Sequence, residues 1–352
     1  MLFYFVNLFI LILYSFYFRK KSYGKYTIVA LLHLGGVAAM RSYSVGTDTR
    51  MYCLFYKSIV ACGNNLTSLY FFSKFPGWSY FFLFVSKLLG DSANTYIFIA
   101  SFFVVIFIGL AIRKLEVKSI YTMILYCLLF WLSSLNANRQ YMAMSMVFFS
   151  FALLYKKEYF SGALFGFAAI TFHSSAIIGI IICIIAVVEW NYRKVVLALA
   201  VTLLFTSFFE NIFGVMAGLM EGYSQYELGV AKSQGRGVAL QVVFVLTFIY
   251  SVWILKKYIL QVSQKQLLMK LLLINGIEII LGIVGAREVF IGRINVFFQI
   301  FIIAHIPIVL IYKNRYRKLY MAIVMVFSVF YYVYKIIFNY GDIVPYTSYL
   351  FT

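Results

Sequence analysis

The sequence predicts an all-α integral membrane protein that crosses the bilayer about 12 times and carries one further helix at the membrane surface. The chain is 64% hydrophobic and only 12% charged, whereas a soluble domain contains about 25% charged residues. Apolar runs of about 15–20 residues, the length that spans the hydrocarbon core, recur throughout. Lysines and arginines cluster between these runs, so the net charge of +19 indicates membrane topology and not nucleic-acid binding.

The first two predicted helices set the orientation of the chain. A helix over about 2–18 has neither a basic segment before it nor a small-residue cleavage site, so we expect it to stay in the membrane. The basic cluster at 19–25 places the next loop in the cytoplasm and the N-terminus outside. The second helix, about 26–40, returns to the outer face and leads into a long outer loop, about 41–93.

A short apolar stretch inside this outer loop is expected to lie at the membrane surface. Residues 78–90 make a short run that Lys87 interrupts near its end. If this run crossed the bilayer, the basic residues at 113–118 would fall outside. An interfacial or re-entrant helix at 78–90 avoids that conflict.

Ten further helices follow in an alternation that the basic loops define. They are predicted at about 94–112, 119–134, 139–155, 159–172, 174–189, 195–209, 237–255, 267–285, 293–312 and 319–338. Every second connection is basic, namely 113–118, 156–158, 191–194, 256–266 and 313–318. The other connections, including a long loop at about 210–236, then face outward with both termini. We expect the whole chain, 1–352, to form a single transmembrane domain.

The predicted site lies on one helical hairpin of this layout. Arg139 sits where a membrane helix starts, and His173 sits where the next inward helix starts. Lys156 and Lys157 mark the opposite face of the membrane. The hairpin therefore brings a cation and an imidazole to the outer side.

Arg139 and Arg293 are the outer-face arginines that best fit an anion site, because the arginine fork matches phosphate oxygens. Each lies in the predicted first turn of an inward helix, where exposed N–H groups and the helix dipole attract anions. Asn138 is a suitable cap before Arg139, and Gly292 lets the backbone approach closely before Arg293. We expect the two helix starts to converge on a pyrophosphate.

Two outer-face residues could take a proton from an attacking hydroxyl. His173 is the only histidine near a predicted outer helix start, and an imidazole there could accept a proton near neutral pH. The alternative is a satisfied polar residue beside two serines that cap the next helix. Asp48 fits a carboxylate base or a hydroxyl-orienting group, and equally an Asx turn. We favour His173 as the base, with Asp48 orienting the acceptor.

Several of these segments together resemble a known family. They are Arg41-Ser-Tyr-Ser-Val-Gly-Thr-Asp48 with Tyr52, Asn138-Arg-Gln-Tyr-Met-Ala143, Phe172-His-Ser-Ser-Ala176, Arg293 and Val344-Pro-Tyr346. In this order, over nearly the whole chain, they resemble the EpsG family of Wzy-type polysaccharide polymerases. One departure is Lys74-Phe-Pro-Gly77, where family members often carry an acidic residue before Pro-Gly. No chemistry is assigned to that segment.

The resemblance implies a GT-C-like, all-helical membrane glycosyltransferase for exopolysaccharide or O antigen. Such an enzyme joins glycan repeat units carried on undecaprenyl pyrophosphate, at the outer face of the bacterial inner membrane. Besides donor, acceptor and membrane lipid, its expected partners are a chain-length regulator and a flippase. No metal, nucleotide or other cofactor is expected, because the lipid-linked donor is already activated. Further substrate contacts are expected from the outer cations Arg41 and Arg287, and from Asn138, Gln140 and Tyr52 in the matching segments.

Two other classes of protein remain open. A transporter or flippase of the same lipid-linked glycans would also need outer and internal cations, but no basic residue is predicted deep in the bilayer, where a charged substrate path would need one. A membrane acyltransferase could use His173, but a second polar catalytic residue on the same helix is missing.

Cysteine labelling tests this layout. A cysteine placed at Asn65 or Gln225 is expected to react with a membrane-impermeant reagent added outside, because both positions lie in predicted outer loops. A cysteine at Lys157 is expected to be protected until the membrane is opened. The reverse pattern of labelling would rule out the predicted orientation.

Overall fold

The computed structural model of the chain describes residues 1–18, 22–63, 65, 72–208, 238–285 and 289–351. These residues are helical or lie in turns, and a single isolated bridge, between Arg41 and Ser348, is the one β-type pairing among them. The helices are α1 (Leu2–Phe18), α2 (Tyr23–Ala39), α3 (Thr49–Cys62), α4 (Pro76–Leu89), α5 (Ala93–Lys114), α6 (Tyr121–Asn136), α7 (Asn138–Tyr155), α8 (Tyr159–Phe172), α9 (Ser174–Val187), α10 (Tyr192–Ser207), α11 (Val238–Lys257), α12 (Val262–Gly285), α13 (Val289–Gln299), α14 (Ile302–Val309) and α15 (Arg317–Ile337).

The all-α prediction is confirmed, and each predicted helix has a counterpart whose ends differ by a few residues. Five stretches of the described chain are long and apolar enough to cross a membrane: Ala93–Lys114, Val238–Lys257, Val262–Gly285, Ile291–Val309 and Arg317–Ile337. The helices α1, α6, α8 and α9 are apolar but shorter. The count of about 12 crossings therefore stays a prediction for the shorter helices, as does the GT-C-like fold.

Two details differ from the predicted layout. The predicted outer loop contains the helix α3, whose buried Tyr52, Tyr56 and Ile59 follow the three-and-four spacing of one helix face. The predicted helix at 293–312 is two helices, α13 and α14, joined by a tight turn in which the Ile303 amide donates to the carbonyl of Ile300. The helix predicted at the membrane surface is present as α4, and its interfacial placement stays a prediction.

Contacts divide the chain into two compact units, residues 1–187 with 328–352, and residues 188–327. In the first unit, α7 lies at the centre and packs against α5, α8 and α9. Gly162 and Gly166 allow α8 to approach α7, because a Cβ at Gly166 would lie 3.0 Å from Ser150 Oγ. Ser150 Oγ in turn donates to the carbonyl of Gly162 at 2.6 Å.

Two ion pairs join the predicted cytoplasmic ends of α5 and α7. Lys156 Nζ lies 2.6 Å from Glu116 Oε1, and Lys114 pairs with Glu158. The hydrogen bond from Lys156 lowers the pKa of Glu116. The predicted basic loops at 113–118 and 156–158 are thus neighbours, as their placement on one membrane face requires.

The C-terminal tail, residues 339–351, closes over the loop that follows α2. The amides of Ser42, Gly46 and Thr47 donate to the carbonyls of Thr347, Asp342 and Gly341 at 2.8, 2.9 and 3.0 Å. Gly46 has φ +99°, and a Cβ there would lie 2.8 Å from the Leu135 carbonyl oxygen, so this turn requires glycine. Tyr346 OH donates to the carbonyl of Val37 at 2.7 Å.

Arg41, an outer cation that was expected to contact substrate, lies beneath this loop and is completely buried. Its guanidinium donates to the carbonyl of Ala38, to Ser101 Oγ at 2.8 Å and to Asn138 Oδ1 at 3.0 Å. Burial lowers the pKa of Arg41 to about 10, so the side chain is still charged at neutral pH. One cation thereby ties together α2, α5 and α7.

The second unit has α12 packed against α10, α11 and α13. Two ionisable side chains of α12 are buried within it, Lys270 and Glu278. Lys270 Nζ donates to the carbonyl of Val188. Lys270 lies in the first half of one of the five candidate spans, and the expectation that no basic residue lies deep in the bilayer stays a prediction.

Substitution of Arg41 tests its role as a structural tie. Arg41→Gln is expected to lower the free energy of unfolding by about 3 kcal/mol or more, because several hydrogen bonds to a charged group are lost and each is worth about 1.5–3 kcal/mol. The measurement is thermal unfolding of the purified protein in detergent. The exposed Arg50, nine positions later, supplies the matched control Arg50→Gln. Equal unfolding temperatures for the two variants would contradict the tie.

Candidate active site

The candidate site lies in the first unit, at the end of the hairpin opposite the two ion pairs. Helix α7 begins at Asn138 with Ala137 in the capping position, and no side chain caps this end. The prediction that Asn138 caps α7 is therefore wrong. Its side-chain oxygen accepts instead from Arg41, so the buried cation fixes the start of the helix that carries Arg139.

Arg139 is held among aromatic rings and is only 8% exposed. Its guanidinium carbon lies 3.4 Å from the ring centroid of Phe75, 5.4 Å from that of Tyr52 and 5.8 Å from that of Trp78. Ring faces attract cations, and the attraction is stronger where water is excluded. The guanidinium is thus fixed in a largely dry setting, with Tyr52 beside it.

Two of these three aromatic residues, Phe75 and Trp78, lie in or directly after the segment Lys74–Gly77, to which the sequence analysis assigned no chemistry. Phe75 precedes α4, and Trp78 is fully buried in the first turn of α4, with Pro76 at the helix start. Gly77 permits this placement, because a Cβ there would lie 1.9 Å from Thr171 Oγ1 at the end of α8. The sequence offered one signal for this helix start, the proline itself, because proline is frequent at the first position of a helix.

Further buried aromatic side chains from α3, α4 and α5 pack behind these rings. The Tyr96 ring lies 6.0 Å from Trp78, 4.8 Å from Phe82 and 5.9 Å from Tyr56. Tyr56 OH donates to the carbonyl of Gly90 at 2.6 Å. These packed rings anchor α3 and α4 to α5, and so place Tyr52, Phe75 and Trp78 around the guanidinium.

His173 lies at the same site, half-buried between α8 and α9. Its ring centroid is 6.2 Å from that of Phe75, the ring that also contacts Arg139. The Ser175 amide donates to His173 Nδ1 at 3.2 Å, so the histidine itself caps the turn where serines were expected to do so. Because Nδ1 accepts this bond, the neutral ring carries its proton on Nε2. That arrangement suits a hydrogen-bond donor better than a base.

Asp48 precedes α3 and is half-buried. Its amide donates to Asn136 Oδ1 at 2.7 Å, and its carbonyl accepts from the Tyr52 amide at 3.0 Å. Its side chain does not cap α3. Asp48 thus lies one helical turn before Tyr52, the residue that contacts Arg139.

The remaining predicted residues are placed as follows. Gln140 is half-buried in the first turn of α7, next to Arg139. Arg293 is exposed in the second turn of α13, in the other unit, and not in the first turn as expected. Gly292 lies against Gly285, and a Cβ on Gly285 would come 3.0 Å from the Gly292 amide nitrogen, so glycine at position 285 lets the two backbones pack closely. Arg287 lies outside the described residues, and convergence of Arg139 with Arg293 stays a prediction.

Metal ligands of the usual kinds are not grouped in the part of the chain that the structure describes. No set of three or more His, Cys, Asp or Glu side chains is placed there to hold an ion. The chemistry available at the candidate site is that of a fixed guanidinium, an imidazole N–H and a carboxylate.

Comparison with known proteins identifies the family. The chain matches the family model of the EpsG family over residues 25–348, which is nearly its whole length. No curated protein and no solved structure gives a match. The matched range includes every predicted site residue, from Arg41 to Arg293. The chain therefore belongs to the EpsG family, a family of Wzy-like polymerases.

Proposed function

We propose that the chain is a polymerase that joins oligosaccharide repeat units carried on undecaprenyl pyrophosphate, at the outer face of the bacterial cytoplasmic membrane. Family membership supports a membrane polymerase of exopolysaccharide or O antigen. The observation that carries the finer proposal is Arg139, fixed by aromatic rings at a helix start that no side chain caps.

Arg139 has the properties that a pyrophosphate leaving group requires. As the bond between the sugar and the phosphate breaks, negative charge grows on the departing oxygens. A guanidinium that is already in place, in surroundings with little water, stabilises that charge more strongly than a mobile surface cation would. The amides of the first turn of α7 point in the same direction as the helix dipole and add to this stabilisation.

Asp48 and His173 supply the two other roles that the reaction needs. A hydroxyl of the acceptor sugar attacks the anomeric carbon of the donor, the bond to pyrophosphate breaks, and the hydroxyl loses its proton. We assign the proton to the Asp48 carboxylate and a hydrogen bond to a departing phosphate oxygen to His173 Nε2–H. The Ser175–Nδ1 bond favours this assignment over the one expected from the sequence. Tyr52 is buried beside Arg139, and in this proposal it helps to hold the guanidinium in place.

Arg41 acts in this proposal as a positioning residue, because its guanidinium is buried and bonded to the protein. Gln140 and the exposed Arg293 stay proposed substrate contacts, each on its own unit. A flippase and a chain-length regulator are the proposed protein partners.

The direct test uses the purified protein in liposomes with lipid-linked repeat units. A polymerase is expected to produce a ladder of longer lipid-linked glycans without added nucleotide sugar. Transport of the substrate across the vesicle without any elongation would instead support the transporter class.

Arg139→Lys is expected to lower the polymerisation rate by roughly 30- to 1000-fold, equivalent to about 2–4 kcal/mol of transition-state stabilisation. The charge is kept, but an ammonium reproduces neither the flat contact with the Phe75 ring nor the two-pronged contact with phosphate. Arg50→Lys, the same change at an exposed arginine of α3, is the control and should keep the normal rate. A normal rate for Arg139→Lys, at normal expression, would exclude Arg139 from the chemistry.

The roles of Asp48 and His173 are separated by rate and pH dependence. Asp48→Asn is expected to lower the rate by about 100-fold or more at every acceptor concentration, because it removes the base. His173→Gln, which keeps an N–H donor, should retain more activity than His173→Ala and leave the shape of the pH profile unchanged. If His173→Ala abolishes the acidic limb of the profile while Asp48→Asn only raises the acceptor concentration required, the two roles are reversed.

A further inference from the structure

The second unit contains a buried carboxylate that the proposed reaction does not use. Glu278 of α12 is completely inaccessible to solvent. Its Oε1 atom accepts from Gln241 Nε2 at 3.1 Å, from Asn295 Nδ2 at 3.2 Å and from Gln299 Nε2 at 3.1 Å. Three amide side chains from α11 and α13 thus converge on one oxygen.

Burial opposes the ionised form of this carboxyl group, and the three donors offset part of that cost. Amides are neutral, however, so the negative charge remains after every one of these bonds has formed. An ionised carboxylate within an apolar helical bundle is very costly unless a positive charge balances it. The ion pairs found within the described residues lie in the first unit, and neither involves Glu278.

The basic side chains on the described helices around Glu278 lie elsewhere along those helices. Helix α10 carries two at its start, α11 two at its end, α12 two in its first half, and α13 one on its exposed face. These are Arg193, Lys194, Lys256, Lys257, Lys265, Lys270 and Arg293. Helix α14 contributes His305, whose Nε2 is bonded to Ser251 Oγ at 2.8 Å and whose Nδ1 faces Asn275 Nδ2 at 3.4 Å.

The cluster also presents buried oxygen atoms that accept no hydrogen bond from the described residues. They are Glu278 Oε2, Gln241 Oε1, Asn295 Oδ1 and Asn275 Oδ1, the last one turn earlier on α12. Buried polar atoms are almost always satisfied, so a group of four left open at one place indicates an absent partner. Carboxylate and amide oxygens are the ligands that hard metal cations prefer.

We propose that Glu278, Gln241 and Asn295 form a binding site for one alkali metal cation, Na⁺ or K⁺, within the second unit. A single positive charge balances the single carboxylate, whereas a divalent ion would leave an uncompensated charge in an apolar interior. The ion links α11, α12 and α13 through ligands from each. This site is independent of the glycan chemistry assigned to the first unit.

The first experiment measures thermal unfolding of the purified full-length protein. Na⁺ or K⁺ is increased while choline is reduced, so that ionic strength stays constant. The Tm of the natural chain is expected to rise with the metal cation and then to saturate, because the ion binds the folded state. Glu278→Gln is expected to lose this response. Glu189→Gln, the same charge change at an exposed residue of the same unit, should keep it.

A second measurement covers the case in which Glu278→Gln fails to fold. Saturable binding of radioactive sodium or rubidium is measured on the natural chain and on Asn295→Ala, which lacks one ligand and should bind about tenfold more weakly. If the natural chain binds neither ion and its Tm is the same in choline, the proposal is overturned. A Tm that depends on pH but on neither cation would also overturn it, because the carboxyl group would then be balanced by a proton.

Discussion

The arrangement of the first unit depends on one buried guanidinium. Arg41 brings a positive charge to a completely buried position, and the partners that it bonds there are neutral: a backbone carbonyl, a hydroxyl and an amide. Such a charge is tolerated only where its donors find acceptors, so the ends of α2, α5 and α7 are held at positions that supply them. The position of Arg139 follows, because it is the residue after the Asn138 that Arg41 holds.

The helices of the predicted outer loop complete the site from the other side. Neither α3 nor α4 is long enough to count among the candidate spans, yet both are buried along one face against α5. Their aromatic residues serve two purposes, since Tyr56 and Phe82 fill the interior while Tyr52, Phe75 and Trp78 surround a cation. The same rings thus stabilise the fold and keep water away from Arg139.

The helices could be predicted because long apolar runs and basic clusters are strong signals in a membrane protein. Helix α3 was also predictable, from the spacing of Tyr52, Tyr56 and Ile59. The burial of Arg41 was not, because a charged residue at a helix end normally indicates exposure. The contact of Phe75 with Arg139 joins distant segments, and no local pattern encodes it.

Single polar residues within apolar runs were the other features that the sequence did not reveal. Glu278 and Lys270 each stand alone in a hydrophobic window, so the average hydropathy of the helix conceals them. The tautomer of His173 likewise depends on one amide, that of Ser175, which becomes known only once the backbone between α8 and α9 is placed.

The pairing of the tail with the loop before α3 has a consequence for the order of events during synthesis. Ser44 and Thr347, whose hydroxyls lie 3.0 Å apart, are 303 positions apart in the chain. At about 5–20 residues per second the tail leaves the ribosome roughly 15–60 s after the loop. During that interval the segment carrying Asp48 lacks the strand-like partner that fixes it. The loop before α3 therefore reaches its final conformation last, after the helices between it and the tail have been synthesised.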